Sequence, residues 1–216
     1  MAAFPNESAK YRSARKKLLD AELALRRQVE KVAAQRRKLP PGGEVPEDYV
    51  FDSEAGPVKM SQLFRRGKTL LAYSFMYGPK MKAACPMCTS FLDALDGNAQ
   101  HLAQRTNLVV IAKSPLERNT EHAHSRGWRN LRLLSSAGNS YNRDYHGESE
   151  DGGQIPIMNV FVKNAKVRHR YATEMVFGKA DKGQNQRHID MMWPLWNLLD
   201  LTPEGRGADW YPKLAY

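Results

Sequence analysis

Apolar side chains near the N-terminus recur every three or four positions. Tyr11, Ala14, Leu18, Ala21, Leu25, Val29 and Val32 draw one narrow stripe, which predicts a single long helix over about 6–39. Asn6 or Ser8 suits its N-cap, with Glu7 at the positive end of the dipole. The run Pro40-Pro41-Gly42-Gly43 ends it, because proline cannot continue the hydrogen-bond ladder and glycine releases the turn.

Past this linker the pattern changes. Short strands at 49–51 and 57–60 flank the turn Asp52-Ser53-Glu54-Ala55-Gly56. Residues 68–77 are rich in aromatic and aliphatic side chains and bounded by Gly67 and Gly78, so they read as a buried central strand. A helical pattern runs from Cys85 through Phe91, Leu92 and Leu95 toward Leu102, with Gly97 as the place for a break or bend. Residues 107–112 form a second buried strand, and 115–126 suit a helix ended by Gly127. A short strand at 131–134 leads into a turn-rich connection at 138–153. The strand 156–162 then turns at Lys163-Asn164-Ala165 into 166–171, a hairpin. A last helix at 188–199 puts Ile189, Met192, Trp193, Trp196 and Leu199 largely on one face, and the tail 202–216 carries the anchors Trp210, Tyr211, Leu214 and Tyr216. Alternating strands and helices imply parallel pairing, and the hairpin adds an antiparallel pair. The expected class is α/β, a mixed central sheet flanked by helices with a long N-terminal helical arm.

Hydrophobic residues make up 42% and charged residues 26% of the 216 residues. That composition excludes wholesale disorder, and the length allows a core without metal or disulfide staples. The most apolar run, 69–77, is about half of the ~20 residues that span a bilayer. Residues 1–8 hold no apolar core of the kind a secretory leader has, so a reducing, cytoplasmic compartment is expected, with no membrane partner. Charge is uneven. Eleven Lys and Arg face three acids between Lys10 and Lys38, which is eight of the ten net positive charges. A basic helix with one apolar stripe asks for a partner surface, either the main domain or a second copy, and a homodimer through this helix or the tail is expected. Phosphate binding is the rival use, but no base-reading motif accompanies the charge, and a charge run is usually a solvated face.

The chemistry concentrates at Cys85-Pro86-Met87-Cys88, the only two cysteines, placed after a predicted strand at a helix start. The unpaired N–H groups and dipole of such a start lower a thiol from about 8.5 into a range of about 3.5–7.5. The thiolate is the attacking species in disulfide exchange, and Cys88, one turn on, is close enough to resolve a mixed disulfide. Lys80 and Lys82 just upstream add positive charge, and Pro86 suits the first helical position. Three other readings stay open. A structural disulfide closing so short a loop constrains the unfolded chain by only about 2 kcal/mol. A metal site needs two more ligands, and His122 and His124 do not share a helix face. Two inert buried thiols are the third. No cofactor or metal is implied.

The Cys85-Pro-Met-Cys88 motif and the segment Ile155-Pro156-Ile-Met-Asn-Val-Phe-Val-Lys-Asn-Ala-Lys166 together resemble the thioredoxin superfamily. The resemblance implies a thioredoxin-like domain at 44–200, with the arm and linker at 1–43 and a C-terminal tail at 201–216. It also implies a cis-proline at Pro156 packed beside Cys85, shaping a peptide-facing groove. The whole chain is further similar to a mostly bacterial family of unknown function predicted to be dithiol–disulfide oxidoreductases. Leu39-Pro-Pro-Gly-Gly-Glu-Val-Pro-Glu-Asp-Tyr49, Phe75-Met-Tyr-Gly-Pro79, Gly127-Trp128 and Asp200-Leu-Thr-Pro-Glu-Gly-Arg-Gly207 carry that similarity.

Departures from the superfamily matter. Ala84 stands where thioredoxins have Trp, and the inner pair is Pro-Met, so neither reductant nor oxidant behaviour is inherited. The strand 69–77 has no acid, so no proton acceptor for Cys88 is identified. Peroxiredoxins place Pro seven and Thr three residues before their reactive Cys, where this chain has Gly78 and Lys82. The expected function is thiol–disulfide exchange with a protein disulfide or small thiol, Cys85 attacking and Cys88 resolving. The alternatives are a peroxide-reducing thiol enzyme and a non-catalytic binding protein using the basic arm on nucleic acid or an acidic partner.

Overall fold

The computed structural model describes residues 4–183, 191–205, 207 and 210–214. The chain divides into two compact units, Met1–Pro40 and Pro41–Tyr216.

The first unit is helix α1, Ala9–Arg37. Ser8 caps it, its hydroxyl accepting from the Tyr11 N–H at 3.1 Å, and Glu7 pairs with Arg12 and Arg15 at 2.7 and 3.0 Å. No residue of this helix is buried. The apolar stripe is therefore an exposed one, with Tyr11, Leu18 and Leu25 each more than half exposed.

The second unit opens with a small antiparallel sheet, β1 (Val50–Phe51) against β2 (Val58–Lys59). Its main sheet has five strands: β3 (Thr69–Phe75), β4 (Asn107–Ala112), β5 (Leu133–Ser135), β6 (Ile157–Lys163) and β7 (Val167–Ala172), in the spatial order β5-β4-β3-β6-β7. Strands β3, β4 and β5 run parallel, while β6 and β7 form the antiparallel side. The helices of this unit are α2 (Pro86–Leu102), α3 (Leu116–Arg126), the single turn α4 (Tyr141–Asp144) and α5 (Pro194–Leu199). This is the mixed central sheet flanked by helices that the sequence predicts.

Strand alternation divides the core in two. Tyr73 and Phe75 of β3, with Val110 and Ala112 of β4, pack against α2, α3 and α5 together with Trp128, Trp193 and Trp196. Leu70 and Ala72, with Val109 and Ile111, point the other way onto Tyr49, Phe51, Leu63 and Tyr141. Both sulfurs lie in the first of these clusters.

Several boundaries differ from expectation. α2 runs through Gly97 without a break, because i to i−4 bonding on both sides outweighs the roughly 1 kcal/mol that one glycine costs. The connection 138–153 contains α4, whose single turn is too short to show a period. The last helix is short, Pro194–Leu199, and the predicted positions His188 and Ile189 lie outside the described residues, as does Tyr216. Gly127 ends α3 as expected, at φ 75°, a left-handed conformation that glycine adopts freely. No described helix is long and apolar enough to cross a membrane.

Candidate active site

Strand β3 ends at Phe75, and the chain takes a short loop before α2. Cys85 is the N-cap of that helix, at φ −64° and ψ 123°, with Pro86 in the first helical turn, where a missing N–H costs nothing. The Cys85 N–H donates to the Met76 carbonyl at 3.1 Å, which ties the cap to the end of β3, and the Cys85 carbonyl accepts from the Thr89 N–H at 2.9 Å. The thiols are free, Cys85 is 5% exposed and Cys88 has no exposed surface.

The two thiols are driven apart in acidity. Cys85 is lowered from the ordinary thiol range, first by a hydrogen bond from Cys88. Burial opposes this, and the Tyr211 hydroxyl and the backbone N–H groups of Cys88 and Met87 lower it further. Those backbone donors are first-turn N–H groups that the helix leaves without a partner of its own. Cys88 is raised well above the ordinary value, first by complete burial and then by the hydrogen bond and charge of Cys85. The Tyr73 hydroxyl and the Met76 backbone act in the opposite sense. Lys80 and Lys82 are exposed, and the largest influence that lowers Cys85 is the hydrogen bond from Cys88.

The surroundings are largely aromatic. Trp193 donates from Nε1 to the Met87 carbonyl at 3.1 Å and stands edge-on to Tyr73 and tilted against Phe91. Thr89 shares a 3.1 Å hydrogen bond with His122 Nε2, and the His122 ring sits among Phe75, Tyr77 and Trp128. Burial, aided by Arg126, lowers the His122 pKa, while Asp93 opposes. Arg118 of α3 reaches the loop before Cys85. It donates to the carbonyls of Gly78 and Lys82, each at 3.2 Å, and to those of Pro79 and Met81.

The C-terminal residues complete the site. The Tyr211 hydroxyl lies 3.4 Å from the Cys85 sulfur. Arg126 donates to the Leu214 carbonyl at 3.0 Å and pairs with Asp93 at 2.6 Å. Trp210 packs edge-on against Trp196 with centroids 5.8 Å apart, and Pro212 is buried. An open cavity of about 680 Å³ adjoins Tyr211, bounded by Asp93, Leu195, Leu198 and Trp210. Among the described residues no group of three His, Cys, Asp or Glu side chains is arranged to hold a metal ion.

Pro156 requires a correction. No peptide bond among the described residues is cis, so the Ile155–Pro156 bond is trans. The proline precedes β6, whose Ile157 is the register partner of Ser74 on β3, so it stands beside the end of the strand that leads to Cys85. A trans proline is well suited to that point, because the ladder asks for no N–H from it.

Sequence reasoning placed the two cysteines but missed Tyr73, Arg118 and the contact of Tyr211 with Cys85. In the sequence Tyr211 reads only as a tail anchor. Its separation of 126 positions from Cys85 leaves no local trace.

The model of a family described as bacterial protein of unknown function (DUF899) matches residues 1–216. The chain belongs to DUF899. No curated protein sequence matches this DUF899 member. Some solved structures are similar to part of this chain. Peroxidoxin BcpB from Mycobacterium tuberculosis is 19% identical, with a TM-score of 0.46 over 62% of this chain and 84% of that one. Enterococcus faecalis AhpC is 13% identical, with a TM-score of 0.47 over 61% and 78%. The pneumococcal exposed lipoprotein thioredoxin Etrx1 from Streptococcus pneumoniae is 16% identical, with a TM-score of 0.41 over 56% and 85%.

Proposed function

We propose that this DUF899 protein is a thiol–disulfide oxidoreductase acting through Cys85 and Cys88. The observation that carries the reading is the placement of two free sulfurs in one helical turn: Cys85 caps the start of α2, where first-turn N–H groups are unpaired, and Cys88 is fully buried behind it, an arrangement that lowers the first thiol and raises the second. An attacking thiol must be ionised and a resolving thiol must wait as a proton-bearing partner. The Cys85 thiolate gives its electron pair to one sulfur of a substrate disulfide. That bond breaks, the other substrate sulfur leaves as a thiolate, and a mixed disulfide forms on Cys85. Cys85 then no longer carries charge, which removes part of what held the Cys88 proton. Once deprotonated, Cys88 attacks the Cys85 sulfur, releases the second substrate thiolate and leaves a Cys85–Cys88 disulfide. The substrate is reduced by two electrons and the protein oxidised by two.

The substrate class that fits this reading is a protein disulfide or a small disulfide. Pro156, trans and next to the end of β3, is the residue proposed to border the substrate-facing side. Single-cysteine trapping tests the proposal. Cys88→Ser accumulates mixed disulfides with added disulfide substrates, and Cys85→Ser does not. If neither variant traps a substrate and the wild type reduces no disulfide, the reading fails. Peroxide consumption dependent on Cys85 without disulfide exchange would replace it with the peroxide-reducing alternative.

A further inference from the structure

The reactive sulfur is covered. Cys85 is 5% exposed although it sits at a helix start, a position that ordinarily faces solvent. Tyr211 is the side chain from the C-terminal segment that meets it, with its hydroxyl 3.4 Å from the sulfur. Residues 210–214 are held on both sides of that contact: Trp210 against Trp196, Pro212 buried, and the Leu214 carbonyl on Arg126 at 3.0 Å. Arg126 is itself fixed by two contacts to Asp93, at 3.2 and 2.6 Å.

We propose that residues 210–214 form a strap over the reactive sulfur, in which the Tyr211 hydroxyl donates a hydrogen bond to the Cys85 thiolate and the Tyr211 ring shields that sulfur until a substrate displaces it. The inference rests on Cys85 being the attacking thiol. Donation runs from oxygen to sulfur, because a phenol with an ordinary pKa of about 10 keeps its proton while a thiolate has none to give. A hydrogen bond to an ion is stronger than one to a neutral group. Packing alone would be served as well by phenylalanine, whereas here the hydroxyl is aimed at the sulfur. The open cavity of about 680 Å³ beside Tyr211 gives the ring space to move without disturbing the sheet.

Alkylation of the full-length chain tests this without any disulfide substrate. In a Cys88→Ser background the only thiol is Cys85. Tyr211→Phe keeps the cover and removes the donor, so the pH midpoint of iodoacetamide alkylation should rise by about one unit. In that variant the rate ratio between a maleimide carrying a long polyethylene glycol chain and N-ethylmaleimide should stay the same. Tyr211→Ala removes both, so the midpoint should rise and the bulky-to-small ratio should increase several-fold. An unmoved midpoint in Tyr211→Phe, or an unmoved ratio in Tyr211→Ala, overturns the proposal. If both readouts behave as expected but no disulfide is exchanged, the functional reading fails and the strap stands. If exchange proceeds with both readouts unmoved, only the strap fails.

Discussion

The guanidinium of Arg118 lies 4.3 Å over the ring of Tyr77. From there it donates to four carbonyls of the loop before Cys85: Gly78, Pro79, Met81 and Lys82. Arginine suits this place because its planar fork reaches several acceptors at once while its face stacks on an aromatic ring. Arg118→Ala should lower stability by about 2 kcal/mol, as expected for lost charge-assisted hydrogen bonds. Arg118→Lys should recover little of it, since a point charge cannot span the loop. Urea unfolding of both variants checks this, and equal stability of the lysine variant and the wild type would contradict it.

The thiols predict a pH profile. At neutral pH, iodoacetamide should add a single group to the folded protein, on Cys85, with Cys88 modified only after unfolding; mass spectrometry reads both. Stability follows with a definite sign. Cys85 is lowered by folding, so its contribution is complete above the unfolded value of about 8.5 and is lost as pH falls through the folded value. Cys88 is raised, so its contribution is complete below about 8.5 and is lost as pH rises toward its folded value. The combined contribution is greatest near pH 8.5. Urea midpoints of the reduced wild type should fall on either side of that pH relative to a Cys85→Ser, Cys88→Ser double variant.

Asp93 joins two side chains. It accepts from Arg126 on both oxygens and from Trp128 Nε1 at 2.7 Å. Asp93→Asn removes the carboxylate charge that faces this partly buried guanidinium and should cost about 1–3 kcal/mol. Because Arg126 also holds the Leu214 carbonyl, limited proteolysis at the C-terminus should speed up in this variant. A double-mutant cycle with Arg126→Ala isolates the pair, and zero coupling energy would contradict the assignment.

The N-terminal helix contributes no buried residue, and the remaining residues have a complete core of their own. Removing residues 1–40 should leave the pH profile of Cys85 alkylation unchanged, because the groups that lower it, on Cys88, Tyr211 and Met87, belong to the second unit. A displaced alkylation midpoint in the shortened chain would show that the arm takes part in the site.

The legible parts of the molecule are those whose physics is local. β3 and β4 announce themselves as largely apolar runs, Gly127 marks the end of α3, and the cysteine pair is placed by the strand before it and the helix it opens. The pieces that complete the site are distant in sequence. Arg118 is an ordinary helical arginine until the loop folds against it. Tyr211 belongs to a tail whose turn formers and aromatics show that it packs without showing onto what. The geometry of Pro156 was expected by resemblance, and the backbone takes the trans form because a strand start asks nothing unusual of proline. The single-turn helix α4 escaped because one turn holds too few residues to repeat.

Cys88 has no surface of its own. Alkylating agents can therefore enter the pair by one door, and the group they attach stays on Cys85, whereas a glutathione joined there leaves again when Cys88 closes the disulfide. The inner sulfur is spared the irreversible rungs of oxidation as long as the fold is intact. A damaged molecule should thus carry its scar on the outer atom alone, a signature that would let the history of exposure be read from a purified sample.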